Sequence, residues 1–274
     1  MNELQQKELE LLKQFDSICA QLEIPYFLVC GTALGAVKYG GFIPWDDDID
    51  VGLYRPDYEK FVKLAPALLP EGLFLQNHHT EPRFPQIYTK LRDSNTTYIE
   101  KTAAAIPMNH GVFIDIFPLD GYPAGKTARK WLELQKRLYQ SMLMSAYEFS
   151  RGGVSGLLCK LWRLLGLHKR SAKVAARLER VLMKHPVEGS ALVCNHGNWQ
   201  GKLEYAPAWH YGSGAQASFE GLIVRVPEQF DDYFTQKYGD WRADLPEDQQ
   251  MGHHYHTVCD THNPYTTYIT RLGD

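Results

Sequence analysis

The sequence predicts an α+β protein, with strands bracketed by helices over about the first 120 residues and a basic helical region added behind them. Three observations predict this. Short apolar runs alternate with segments of helical spacing as far as residue 117. Residues 126–184 then read as nearly continuous helix. Charge divides along the same line: that stretch carries 14 Lys/Arg against 3 acidic residues, and the rest of the chain carries 15 against 29. Such a contrast sets two regions to different tasks.

The elements follow in order. Leu4, Leu11, Leu12, Phe15, Ile18 and Leu22 recur at helical steps over residues 2–22. Tyr26–Val29 is a short apolar run that reads as a buried strand, and Thr32–Tyr39 reads as a helix stopped by Gly40 and Gly41. Ile49–Tyr54 is a second strand, and Asp57–Leu69 a helix ending at Pro70. Leu73–Gln76, Gln86–Leu91 and Val112–Phe117 are further strands. The basic helices break near Gly152-Gly153 and at Gly166. Residues 186–220, rich in Gly, Trp, Tyr and His, read as an ordered loop region, and Val226–Tyr238 as a last amphipathic helix.

Composition bounds the remainder. At 44% apolar, the 274 residues can bury a core without staples. Cys19, Cys30, Cys159, Cys194 and Cys259 form no C-x-x-C pair, which argues against a disulfide framework or a cysteine zinc site and for a reducing compartment. The polar N-terminus lacks the apolar core of a signal peptide, and no 18-residue apolar run occurs. A cytoplasmic protein is therefore expected. In Leu157–Arg170 one side is apolar and the other basic. It reads either as a helix packed on the core or as one resting on an anionic membrane or polyanionic substrate.

Chemistry concentrates in GTALGAVKYGGFIPWDDDIDVG, Gly31 to Gly52. Asp48 and Asp50 alternate with Ile49 and Val51, so in a strand both carboxylates share one face. Two such carboxylates repel unless a cation lies between them, and hard oxygen ligands suit Mg²⁺ or Mn²⁺. A calcium loop starting at Asp46 fails, because Val51 stands where the turn needs Gly and Asp57 where a Glu belongs. Gly31-Thr32, after a strand and before a helix, supplies a phosphate-binding turn. Asp115 lies within the apolar run Val112–Phe117, where a charge needs a partner, a metal or a proton-transfer task. Asp120, after Pro118, reads as a cap or turn.

Lys90 and Arg92 share a strand face and suit a diphosphate, or else form a surface pair beside Asp93. Lys38 is a further candidate phosphate contact, and Thr96 or Thr97 a candidate for a nucleotide hydroxyl. His253, His254 and His256 lack the i, i+4 frame of a helical zinc site, and orientation of substrate or a structural role stays open.

The Gly-Thr turn with an acidic alternating strand resembles the nucleotidyltransferase superfamily. The whole Gly31–Gly52 block, with KLRDSNTTYIE (Lys90–Glu100), GVFIDIFPLDG (Gly111–Gly121) and YGDWRADLPEDQQMGHH (Tyr238–His254), resembles the LicD family. The resemblance implies a mixed-sheet nucleotidyltransferase-like core over residues 1–122, a basic helical insertion packed on it over 123–186, and a loop-rich region over 187–274 that completes the core and acceptor site. It implies a transferase moving phosphocholine from CDP-choline to a sugar hydroxyl of a cell-surface glycan precursor (teichoic acid, lipopolysaccharide or capsule) and releasing CMP. Asp48, Asp50 and Asp115 then carry catalysis and Mg²⁺ or Mn²⁺, while Gly31, Thr32, Lys38, Trp45, Lys90 and Arg92 hold the donor. Asp46 and Asp47 extend the site. The acceptor is expected to be nucleotide- or lipid-linked, with residues 126–184 touching the inner face of the membrane; nucleic acid is not an expected partner. Ribitol-phosphate or ethanolamine-phosphate donors, nucleotidyl transfer to a sugar, protein or RNA, and noncatalytic glycan or membrane binding stand as alternatives. A choline cage needs aromatic faces, and Trp199, Tyr205, Trp209, Tyr211, Tyr255, Tyr265 and Tyr268 are at hand.

Overall fold

A computed structural model describes residues 1–147, 153–197, 204–252 and 254–272. The chain opens with α1 (Glu3–Gln21), β1 (Phe27–Leu28), α2 (Cys30–Tyr39), β2 (Asp50–Tyr54) and α3 (Arg55–Leu64). Next come β3 (Leu73–Gln76), β4 (Thr89–Asp93), β5 (Thr97–Glu100) and β6 (Val112–Tyr122). The basic region holds α4 (Lys126–Met144), α5 (Gly153–Leu164) and α6 (Ser171–Leu182). After it follow β7 (Leu192–Asn195), β8 (Tyr205–Pro207), β9 (Ala215–Phe219), β10 (Leu222–Val226), α7 (Phe230–Tyr238), β11 (His256–Asp260) and α8 (Thr266–Leu272).

Helix α1 starts at a reciprocal cap: the Asn2 side chain accepts the Gln5 N–H, and the Gln5 side chain accepts the Asn2 N–H. Its apolar stripe packs Leu12, Phe15 and Ile18 on the sheet, each buried side chain contributing about 1.5–3 kcal/mol.

The main sheet runs β1-β2-β6-β4-β3, with β7 on β6 and β8 on β7. The β2–β6 pair is parallel and the others antiparallel, so the sheet is mixed, as α+β predicts. Strand β6 is the spine. All eleven of its residues are buried, which explains the near-continuous apolar run VFIDIF and the premium on any charge within it. Its first half pairs with β4 and its second half with β7.

Asp120 is neither a cap nor a turn. It lies within β6, 1% exposed, and accepts two bonds from Arg55, each 2.7 Å. Arg55 also reaches Glu179 of α6 at 3.0 Å, so one guanidinium ties α3, the central strand and the basic region together. Around it Leu132 and Leu143 of α4 and Val174, Leu178 and Leu182 of α6 pack with Tyr122 and Cys194.

Three differences from the sequence reading stand out. Residues 186–220 are not all loop, since Leu192–Asn195 completes the sheet as β7 and β8 and β9 follow. The β7 run is only four residues long and flanked by turn formers, so its pairing with the far half of β6 decides it, not its own pattern. Val226 closes strand β10, so α7 starts only at Phe230 and is not the last helix, since α8 follows β11; Glu220 and Gly221, both at positive φ, form the two-residue turn that returns β9 into β10. Strand β4 starts at Thr89, not Gln86, and β6 runs to Tyr122, past the Phe117 expected from sequence. No described helix is long and apolar enough to cross a membrane. All five cysteines are free.

Candidate active site

The parallel pairing of β2 with β6 sets Asp50 opposite Asp115. The antiparallel pairing of β6 with β4 sets Asp115 opposite Lys90. A row of three ionisable side chains therefore crosses three adjacent strands. Lys90 Nζ lies 2.8 Å from Asp115 Oδ1, in ionic contact but outside hydrogen-bond alignment. All three are buried, at 7% exposure for Asp50, 3% for Asp115 and 2% for Lys90. The expected shared face of Asp48 and Asp50 is replaced by this cross-strand row, because β2 begins only at Asp50. Asp48 sits in the segment before the strand.

Residues around the row explain the Gly-Thr signal. Thr32 Oγ1 accepts the Asp50 N–H at 2.8 Å, pinning the start of β2 to α2. A Cβ on Gly31 would stand 3.1 Å from Asp46 Oδ2, so glycine lets that carboxylate lie against the helix start. Cys30 turns strand into helix with φ of 53°, a left-handed conformation that costs a non-glycine residue about 1–3 kcal/mol and is typical of functional sites.

Asp46, Asp48 and Asp50 open onto a cleft of about 380 Å³. Helix α2 supplies Gly31, Leu34 and Lys38 to one wall, and Tyr39, Ile43 and Trp45 follow. Tyr238, Trp241 and Leu245 supply the opposite wall from the Tyr238–His254 block. Lys38 Nζ spans the walls, donating to the Ala243 carbonyl at 2.9 Å and pairing with Asp244 at 3.0 Å. Among the described residues the cleft's Tyr and Trp side chains are Tyr39, Trp45, Tyr238 and Trp241. Tyr205, Trp209, Tyr211, Tyr255, Tyr265 and Tyr268 do not line it, and Trp199 lies outside the described residues.

His254 joins the acidic groups from the segment before β11. Its Nε2 is 2.9 Å from Asp48 Oδ2, its Nδ1 is 3.6 Å from Glu100 Oε1, and its backbone N–H donates to Asp47 Oδ2 at 3.1 Å. The β5–β11 pair carries it there, with Tyr98 donating to the His254 carbonyl at 2.7 Å. His256 stands one step away, its Nδ1 3.2 Å from the Tyr98 hydroxyl. His253 lies outside the described residues.

Electrostatics mark the cluster as overloaded with negative charge. Burial, then Asp48 and Asp47, push Asp46 up to about 8. Burial, then Asp48 and Asp115, raise Asp50 well above the carboxylate range. Burial also raises Asp115, although Lys90 and His254 pull the other way. Burial opposes charge on His254, but Asp48 and Glu100 outweigh it and raise its pKa. Burial opposes the charge on Glu100 too, yet Lys90, His254 and Arg92 hold that carboxylate well below its usual range.

Arg92 is fully buried. It donates to Gln76 Oε1 at 2.5 Å and to the Gly111 carbonyl at 2.6 Å, and its Nη2 stands 3.6 Å from Glu100. Neither Lys90 nor Arg92 is a surface side chain. Thr96 and Thr97 are buried as well, donating to the carbonyls of Asp93 and Asn263.

Sequence reasoning missed Glu8 and Glu100. Glu8 of α1 is 2% exposed, its Oε2 has no hydrogen-bond partner, and burial with the charges of Asp48, Asp47 and Asp46 raises its pKa. A signal was present: Glu8 stands between Leu4 and Leu12 on the apolar stripe of its helix. Glu100 closes the Lys90–Glu100 block and carried no mark of its own.

The donor set fits a hard divalent cation. Asp46, Asp47 and Asp48 each place an oxygen within 4.8 Å of the others, and the buried Glu8 carboxyl, whose Oε2 has no hydrogen-bond partner, lies near enough to feel their charges. All-oxygen anionic ligands suit Mg²⁺ or Mn²⁺.

A mixed sheet whose parallel strands set acidic residues in register, beside a strand-to-helix turn and a cleft, defines a nucleotidyltransferase-like protein. Residues 23–142 match the LicD/FKTN/FKRP nucleotidyltransferase domain. The lipopolysaccharide cholinephosphotransferase LicD of Haemophilus influenzae is 28% identical over 255 residues, 90% of this chain and 92% of that one. An uncharacterized protein of Rickettsia typhi is 37% identical over 69 residues, 25% of this chain and 22% of its own. The chain is thus similar to LicD-type transferases, in its nucleotidyltransferase domain by the family match and over most of its length by the Haemophilus relative.

Proposed function

We propose that the chain transfers phosphocholine from CDP-choline to a hydroxyl of a cell-surface glycan precursor and releases CMP. The observation that carries this reading is the opening of Asp46, Asp48 and Asp50 onto a cleft that also presents Trp45, Tyr39 and Lys38. Support comes from the Haemophilus relative, a cholinephosphotransferase acting on lipopolysaccharide and matched over 92% of its length.

In this reading Asp46, Asp47 and Asp48, whose oxygens converge, would hold Mg²⁺ or Mn²⁺ together with Asp50 on the cleft, with Asp115 backing Asp50 from the neighbouring strand. The ion, when bound, offsets the charge of the donor's diphosphate. The aromatic wall receives the quaternary ammonium, which is attracted to ring faces. Lys38 gives the same cleft a cation for phosphate oxygens. Gly31 and Thr32 keep Asp46 and Asp50 in place. Lys90 holds Asp115, and Arg92 steadies Glu100 behind His254.

The acceptor oxygen attacks the phosphorus that bears choline. The new P–O bond makes a phosphodiester, and the bond from that phosphorus to the CMP oxygen breaks. The hydroxyl proton passes to a carboxylate. Attack on the outer phosphorus separates this reaction from nucleotidyl transfer, in which the nucleotide stays on the product.

The test is a panel of CDP-choline, CDP-ethanolamine and CDP-ribitol with Mg²⁺ or Mn²⁺ and candidate glycans, followed by CMP release and product mass. CMP release with a phosphocholine-sized gain on the glycan is expected. Preference for another CDP-alcohol would reassign the donor, and nucleotide retained on the product would contradict the proposal.

A further inference from the structure

We propose that the outward faces of α4 and α5 form a docking surface for an anionic lipid bilayer. In a globular protein the leucine stripe of an amphipathic helix normally faces the core. Helix α5 does the opposite. Among its described residues only Gly156 is buried, while Leu157 is 68% and Leu164 84% exposed, with Leu161 exposed between them. Steps of four and three residues put these leucines on one face.

Helix α4 has two apolar faces. Leu132 and Leu143 enter the core shared with α6, whereas Trp131, Leu134 and Leu138 are exposed. The two helices are joined rather than splayed: Trp162 Nε1 donates to Ser141 Oγ at 3.0 Å, and Arg163 Nε donates to the Ser145 carbonyl at 2.8 Å.

Charge selects the occupant. Residues 126–184 carry 14 Lys/Arg and 3 acidic residues. Glu133 is taken up by Lys136 and the Tyr122 hydroxyl, and Glu179 by Arg55. Lys160, Lys169, Arg170 and Lys173 are exposed and make no ion pair among the described residues. A second copy of the chain would bring the same positive field against itself. An apolar stripe whose helix carries Lys160, with Lys169 in the short turn packed against α4 and α5 and Arg170 and Lys173 just beyond it, matches a surface of acyl chains beneath negative headgroups. Contact of this kind would suit a lipid-linked acceptor, but it stands on the helices alone and holds whichever group is transferred.

Sedimentation of the full chain with phosphatidylcholine vesicles, with and without phosphatidylglycerol, tests this. Binding to the anionic vesicles, weakened by salt, is expected. Leu157→Gln combined with Leu161→Gln and Leu164→Gln should lower partitioning by about tenfold or more, as should Lys169→Glu combined with Arg170→Glu and Lys173→Glu. These side chains are exposed, so both variants should melt like the parent, and a thermal melt checks that. Equal binding to neutral vesicles, no binding, or binding indifferent to the variants overturns the proposal. So does a concentration-dependent dimer that the leucine variant dissolves, which would assign the face to a second copy.

Discussion

Asp50 and Asp115 face each other across the parallel β2–β6 ladder, and Lys90 closes the row from β4. One cation is thus built into the scaffold against the inner carboxylate. The outer carboxylates of Asp46, Asp48 and Asp50 open onto the cleft. The site therefore divides into an inner carboxylate neutralised by the scaffold and outer carboxylates that face the cleft.

Asp48→Asn and Asp50→Asn should each lower the rate of CMP release by about 10²-fold or more, since preorganised charge at a reacting phosphoryl group is worth several kcal/mol. Lys90→Met should act differently. It leaves Asp115 buried without its cation and so lowers thermal stability as well as rate. Melting curves beside rates separate the two cases. Equal loss of stability in all three variants would remove the division.

Stability of the ion-free protein should fall as pH rises. Asp46 binds a proton in the fold up to about 8, whereas an unfolded aspartate has lost it by about pH 5. Over that window the folded state holds the extra proton, so unfolding becomes easier with rising pH. His254 has the same sign: its raised folded pKa gives stability that is complete below about 6.5 and lost as pH climbs through the folded value. Calorimetric melts across pH 5–9 check this. Adding Mg²⁺ or Mn²⁺ at the alkaline end should restore stability and release protons.

His254→Gln should shift the pH profile of the reaction. The imidazole bridges Asp48 and Glu100, and glutamine keeps hydrogen bonding but not the positive charge. A rate loss with an unmoved profile would reduce the histidine to a spacer.

Trp45→Ala should raise KM for CDP-choline more than for CDP-ribitol, by about 2- to 30-fold, the range of one cation–π contact. Equal effects on both donors would place the ammonium elsewhere.

Asp120→Ala should destabilise the fold by about 1–3 kcal/mol, because the buried Arg55 guanidinium loses two hydrogen bonds while keeping its pairing with Glu179. Denaturant titration reads this directly.

Much of the framework was legible in the sequence because it rests on local pattern. The 3.6-residue spacing of Leu11, Phe15 and Ile18 marks α1, and the apolar run around Asp115 marks β6. What stayed hidden depends on partners distant in sequence. Glu100 and His254 meet only because β5 pairs with β11. The apolar alternation at Asp48 and Asp50 suggested a shared strand face, whereas the cross-strand register of Asp50, Asp115 and Lys90 decides the row. Lys90 and Arg92 were read as diphosphate ligands from their shared face, and only the burial of both beneath the site shows which carboxylates they serve. The aromatic wall comes from Tyr238 and Trp241, which no periodicity marks.

The most direct test of the central claim is Mn²⁺ binding followed by electron paramagnetic resonance, with and without CDP-choline. The predicted result is a bound ion whose affinity rises with the nucleotide and collapses in Asp48→Asn and Asp50→Asn proteins that remain folded by circular dichroism. Undiminished Mn²⁺ binding in both variants would contradict it.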